Sequence, residues 1–175
     1  MTPKRLCVIA SASGNGKTTL ARRTAEQMGV RFIELDALVH GPGWTETSAE
    51  CLRAQLTPIL AEDGWVIDGT YTHKLGDLVL RAADQIVWLD LPIATWMPRL
   101  IRRTLRRLIT REELWNGNHE SLGSVLGGRD SLFIHALRTH RERRRHWPTA
   151  LRSFPVVHLR SAAEVNSWLQ ALDGS

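Results

Sequence analysis

Five short apolar runs recur along the chain, and the segments between them carry apolar residues at helical rather than alternating spacing. RLCVIA at 5–10 reads as a buried strand, RFIEL at 31–35 as a second, and GWVIDG at 64–69 and QIVWLD at 85–90 as a third and fourth, each of these two closing on an aspartate. FPVVHL at 154–159 is the fifth. KTTLARRTAEQMG places Leu20, Ala21, Ala25 and Met28 on roughly one face, with Gly29 as its C-terminal stop. SAECLRAQLTPILAED at 48–63 has helical spacing despite Pro58, Pro92 opens a long helix over about 93–109, a basic helix covers about 130–146, and a last one 161–172. Apolar strands alternating with helices predict a parallel sheet covered on both faces, an α/β chain forming one domain over 1–175. The pattern lapses only in TREELWNGNHESLGSVLGGRD at 110–130, whose glycines and polar residues predict a lid-like excursion, mobile without ligand.

At 175 residues a chain buries about 70% of its unfolded surface, so a full core needs no disulfide. Cys7 lies in the first apolar run and Cys51 in a helical pattern; they share no framework or metal spacing and read as buried or bystander thiols in a reducing compartment. The apolar run after Lys4 and Arg5 is soon interrupted by Ser11, and no later stretch nears the roughly 18 apolar residues of a membrane span. The expected compartment is the cytoplasm.

Charge changes the picture more. The chain has 23 basic and 18 acidic residues, and lysine occurs only at Lys4, Lys17 and Lys74. Arginine is concentrated in the second half, at Arg99, Arg102, Arg103, Arg106, Arg107 and Arg111 and again at Arg138, Arg141, Arg143, Arg144 and Arg145. Its planar fork suits bidentate contact with phosphate.

A phosphate site is written most directly in SASGNGKTTL, residues 11–20. Gly16, Lys17 and Thr18 fill the last three places of the G-x-x-x-x-G-K-[ST] phosphate loop, while Ser11 stands at the first glycine. With a strand before and a helix after, backbone N–H groups and the positive end of the helix dipole converge on one anion. Gly14 and Gly16 let the backbone wrap closely, Lys17 reaches the β and γ phosphates, and the Thr18 hydroxyl serves Mg²⁺. Ser13, Gly14, Asn15, Gly16, Lys17, Thr18 and Thr19 are thus the expected ATP-binding residues. The metal also needs a carboxylate at a neighbouring strand end. Asp68 and Asp90 both qualify, and Asp68 is preferred, Asp90 being equally readable as a strand-end turn before Pro92.

From SASGNGKTTLARRTAEQMG through LDALVHGPGW, GWVIDGTY, ADQIVWLDLP and RLIRRTLRR, the chain resembles the DNA topology modulation proteins, adenylate-kinase-like P-loop proteins, over nearly its whole length. The resemblance implies a nucleoside-monophosphate-kinase-like fold, a five-stranded parallel sheet in the order 2-3-1-4-5, and an arginine-bearing lid after the fourth strand. Two departures stand out: Ser11 replaces glycine, and Thr70-Tyr71 follows Asp-Gly where adenylate kinases carry Phe-Pro-Arg. That arginine would hold the acceptor's phosphate.

If the chemistry is phosphoryl transfer, cations and positioning are what the protein must supply. Arg99, Arg103, Arg106 and Arg107 share one helical stripe, and Arg138, Arg141 and Arg145 another, flanking the lid. Arg103 and Arg141 are the expected catalytic members, beside Lys17. Asp36, closing the second strand, sits where an acceptor binds in such sheets and suits a general base or hydroxyl ligand, or else a helix N-cap. His40 and Trp44 in VHGPGW are candidates for the acceptor pocket wall. The seven histidines show no spacing that suggests zinc. Two function classes remain: a MgATP-dependent small-molecule kinase acting on a nucleotide, nucleoside or other hydroxyl or phosphate acceptor, and a nucleotide-binding regulatory protein that contacts DNA through its arginine helices. Neither the acceptor nor the oligomeric state is written in the sequence.

Overall fold

Every strand of the sheet runs parallel to its neighbours, in the order β2-β3-β1-β4-β5. The computed structural model describes residues 3–119 and 131–173. The strands are β1 (Arg5–Ala10), β2 (Arg31–Glu34), β3 (Trp65–Asp68), β4 (Gln85–Leu89) and β5 (Val156–Leu159). Side chains alternate along β1. Leu6, Val8 and Ala10 face α1 (Lys17–Met28) and the last helix, while Cys7 and Ile9 face the opposite layer, where Leu52 and Leu56 of α3 (Ala49–Leu60) pack. Both faces being covered explains why the strands read as continuous apolar runs.

Several boundaries differ from the sequence expectation. The second strand stops at Glu34, because Leu35 and Val39, four apart and both fully buried, turn the chain into a short helix, α2 (Leu35–Val39), within the expected strand and loop. Asp36 therefore lies in the first turn of a helix rather than at a strand end, and it is not an N-cap. Two further short helices, α4 (Thr72–Leu75) and α5 (Leu78–Ala82), connect β3 to β4 and were too short to show a period. α6 (Ile93–Thr110) passes through Pro98. α7 (Leu132–Ala150) runs past the expected end at 146, because Trp147 and then Leu151 seat that end of the helix on the core. α8 (Ala162–Asp173) closes the chain.

A separate apolar cluster of Ala12, Leu91, Trp96, Leu100 and Ala136 joins α6 to α7 above the C-terminal ends of the strands. Of the expected lid at 110–130, residues 120–130 lie outside the described residues. Residues 111–119 hold a single 3₁₀ turn, Trp115–Gly117, closed by a bridge between Glu113 and His119. Side-chain hydrogen bonds fasten this part to the loop after α2: Asn116 Nδ2 donates to His40 O (2.6 Å) and Asn118 Nδ2 to Gly41 O (2.9 Å).

Candidate active site

Loops at the C-terminal edge of the sheet line a cleft of about 1120 Å³. One end is the loop between β1 and α1. Gly14 has φ of +83°, and a Cβ there would lie 2.8 Å from the Trp96 carbonyl oxygen and 2.9 Å from Leu100 Cβ, so glycine alone lets α6 close against the loop. Asn15 is buried and braces the loop from inside, donating to Ala12 O (3.0 Å) and accepting from Leu91 N (2.9 Å). Gly16 then caps α1 at φ +88°, with no side-chain cap and no acid in the helix's first turn. The first backbone N–H groups of that helix, together with its dipole, suit an anion.

Asp68, fully buried at the end of β3, is paired with Lys17 Nζ through Oδ1 and accepts from Thr18 Oγ1 through Oδ2 at 2.5 Å. A hydroxyl and a carboxylate side by side are hard oxygen donors of the kind Mg²⁺ takes from a protein, the rest of its shell coming from phosphate and water. Thr18 and Asp68 therefore fit that ion. Asp90 stands elsewhere. It is buried, and its oxygens take Ser11 Oγ (2.7 Å), His158 Nε2 (3.1 Å) and Arg144 Nε (3.1 Å). Ser11 is fully buried, accepts from Trp88 Nε1 (2.9 Å) and donates to Asp90, so the departure from glycine at this position is a tie between β1 and β4. Cys7 Sγ donates to Gly69 O (3.4 Å), and burial pushes its thiol well up, which suits a packed side chain and not a nucleophile.

The arginine stripes divide. Arg99, Arg103 and Arg107 of α6, one helical turn apart, line the cleft, while Arg106 turns outward to Glu112 (2.9 Å). A Cβ on Gly16 would lie 4.0 Å from Arg99 Nη1, which puts that guanidinium beside the phosphate loop. From α7, Leu132, His135, Arg143 and Trp147 line the cleft, Arg143 being the arginine among them; Arg138, Arg141 and Arg145 are exposed on its outer side. The helix phase is set by Ala136 and His140, buried toward α6, and by Trp147, and it carries Arg143 inward and Arg141 away from the site. Arg143 Nη1 donates to Ala10 O at 2.7 Å, its guanidinium lies 5.1 Å over the Trp147 ring, and burial lowers its pKa. The spacing that suggested Arg141 gave a stripe but not which way it faced.

The other end of the cleft lies over β2 and β3. The parallel register pairs Glu34 with Asp68, so their carboxylates stand at one level, and two residues on, Asp36 lines the cleft from the first turn of α2. Tyr71 Oη donates to Asp36 Oδ1 at 2.5 Å and lies 3.1 Å from His40 Nε2; burial, then Asp36, raise the phenol's pKa. Glu34 is also raised, first by burial and in part by Asp68 and Asp36. His40 is ringed by Trp44 at 5.5 Å, Trp115 at 5.9 Å and Tyr71 at 6.3 Å between centroids. Asn118 fixes this arrangement, accepting from Trp44 N (2.9 Å) and donating to Gly41 and to Trp115 O (2.8 Å). Tyr71, Trp115 and Asn118 carry no spacing that marks them as site residues; only the fold brings them to Asp36.

A comparison with protein-family models finds no match, and neither does a comparison with curated protein sequences. Solved structures do resemble the chain. They include a shikimate kinase from Bacteroides thetaiotaomicron (TM-score 0.57, 17% identity, covering 99% of this chain and 98% of that one). A deoxyadenosine kinase from M. mycoides solved with dATP gives TM-score 0.55 at 11% identity, covering 97% and 99%, and a gluconokinase from Sinorhizobium meliloti gives 0.53 at 20%, covering 98% and 94%. The chain thus has the P-loop fold of the nucleoside-monophosphate-kinase-like type, with its sheet in the order 2-3-1-4-5.

Proposed function

We propose that the protein is a MgATP-dependent phosphotransferase that phosphorylates a hydroxyl of a small molecule in the cytoplasm. The observation that carries this reading is the single cleft with Lys17, Thr18 and Asp68 at one end and the Asp36–Tyr71–His40 cluster at the other. The loop amides of 13–19 and Lys17 hold the triphosphate, with Arg99, Arg103 and Arg143 as cations over it. Thr18 and Asp68 would hold Mg²⁺, which would supply positive charge to the phosphates. Asp36 orients the acceptor and takes its proton, while the acceptor oxygen bonds to the γ-phosphorus and the bond to the β,γ-bridging oxygen breaks, releasing ADP. Arg103 remains a candidate on α6, and Arg143 takes the place expected of Arg141.

The resemblance to the DNA topology modulation proteins carries a second reading, a nucleotide-binding regulator that contacts DNA, and the outward-facing Arg138, Arg141 and Arg145 are what favours it. A coupled assay of ADP release from MgATP across nucleosides, nucleotides, sugars and hydroxy acids tests the first reading. DNA binding that weakens steeply with salt, with no acceptor-dependent turnover, would replace it with the second.

A further inference from the structure

We propose that the β2 end of the cleft admits an uncharged, ring-bearing alcohol of the nucleoside or neutral-sugar kind, with Trp44 and Trp115 as the walls that select it. The proposal rests on the phosphotransferase reading and adds the class of acceptor.

Three features of this end point the same way. The first is charge. Its carboxylates, Glu34 and Asp36, stand beside Asp68, so one more negative charge here would meet three acidic side chains at close quarters. Of the arginines lining the cleft, Arg99 lies beside the phosphate loop and Arg107 pairs with Glu112 (3.5 Å). Lys17 is on Asp68, Arg143 holds the Ala10 carbonyl beside the phosphate loop, and Arg22, largely exposed, reaches Glu34 only at 4.0 Å. A carboxylate or phosphate on the acceptor would have to draw one of these cations from its present partner or stand against the three carboxylates as a poorly compensated charge.

The second is shape. Two turns, one in each loop, are closed by the bridges His40–Glu46 and Glu113–His119 and interlock through Asn116 and Asn118. They bring the Trp44 and Trp115 rings to 5.5 and 5.9 Å from His40, in the cleft that Asp36 also lines. Flat faces of this kind bind the face of a base or of a sugar ring. Asp36 Oδ1 is taken by Tyr71, leaving Oδ2 for a hydroxyl of that ring.

The third is strain. The described residues other than glycine with positive φ are Trp44 (59°), Tyr71 (45°), Arg111 (46°) and Asn116 (56°), and all but Arg111 belong to this wall or its anchor. Trp44 is moreover 44% exposed, so an indole is held in a costly backbone conformation without burying itself in the core. Strain that the core does not require is expected where a ligand is gripped.

The test uses the whole chain. MgATP binding is measured by calorimetry, and turnover is then compared within pairs that share a ring but differ in charge: adenosine with AMP, thymidine with TMP, glucose with glucuronate. The neutral member of at least one pair should show kcat/KM about tenfold or more above its anionic partner. Whether the productive pair is a nucleoside or a sugar tells the two sources apart. Trp44→Gly removes the ring while suiting the left-handed backbone, and should raise the acceptor KM about tenfold with MgATP affinity unchanged; Trp115→Phe, keeping a smaller ring, should raise it less. Preference for the anionic members, transfer to none of the neutral ones with MgATP bound, or an acceptor KM indifferent to Trp44→Gly would each overturn the proposal. Failure to bind MgATP at all would instead remove the phosphotransferase reading beneath it.

Discussion

At the phosphate-loop end of the cleft the functional groups are fixed by strand ends and by backbone a few residues away. Lys17 and Thr18 open α1 directly behind the loop, and Asp68 closes the strand paired with β1. At the β2 end, Asp36, His40 and Trp44 come from one loop region, Tyr71 from another and Trp115 from a third, and side-chain hydrogen bonds from asparagines hold the turns together. The first end is rigid because its support is the core itself. The second owes its shape to polar contacts between segments far apart in sequence, so it can be altered without disturbing the sheet. Under the phosphotransferase reading, a site divided in this way would keep one half constant for the triphosphate and leave the other free to be recut for an acceptor.

The sharpest way to break the contrast is Lys17→Ala. Removing the cation should lower MgATP turnover by at least about 10²–10³-fold. It also strands the buried Asp68 carboxylate, so the thermal midpoint should fall as well, unlike the effect of any change at the β2 end. Turnover within about tenfold of the parent, in steady-state kinetics, would mean that the loop is not the phosphate site.

Ser11→Gly comes next and makes the motif conform. It deletes the hydroxyl that joins Trp88 Nε1 to Asp90, leaving a buried indole N–H without its acceptor. Stability should fall by about 1–3 kcal/mol in chemical denaturation while MgATP affinity changes little. Tighter nucleotide binding at undiminished stability would show that the serine limits the loop instead of supporting it.

These two residues also mark how far the sequence could be read. The loop, the strand carrying Asp68 and the sheet itself were legible because they depend on short-range motifs and on apolar runs that keep their meaning wherever they occur. Arg143 was not, since an arginine-rich helix offers several stripes and only packing of Ala136 and His140 chooses among them. The Asp36 helix was hidden by its length, and Asn118 by chemistry, for an asparagine in a polar loop looks the same whether it caps a turn or joins two loops 74 residues apart.

Asn118→Ala tests that junction. It removes the acceptor of Trp44 N and the donor to Gly41 and Trp115, so the two turns lose their register while the phosphate loop is untouched. The acceptor KM should rise about 5–30-fold, corresponding to about 1–2 kcal/mol, with MgATP affinity held. Amides of residues 37–47 should exchange faster with deuterium. Equal loss of nucleotide affinity would show the two ends to be mechanically coupled.

The smallest effect should come from the opposite edge of the sheet, where neither end of the cleft is involved. Asp84 accepts from Lys4 N (3.0 Å), from Arg5 N (2.9 Å) and, through Oδ1, from Arg5 Nε and Nη2 (3.1 and 2.7 Å), tying the start of β1 to the turn before β4. Burial opposes its ionisation, but the Arg5 guanidinium and the two backbone N–H groups outweigh it and hold the carboxyl below its usual range. A carboxyl more acidic in the folded chain than in the unfolded one contributes stability above its ordinary pKa, near 4, and loses it as pH falls through the folded value. Asp84→Asn should therefore be slightly less stable than the parent at pH 7, with the gap closing below about pH 4, and kcat and both KM values should not move. A kinetic change in this variant would mean that the strand ends transmit strain through the sheet, and that the constancy of the phosphate-loop end depends on more than its local backbone.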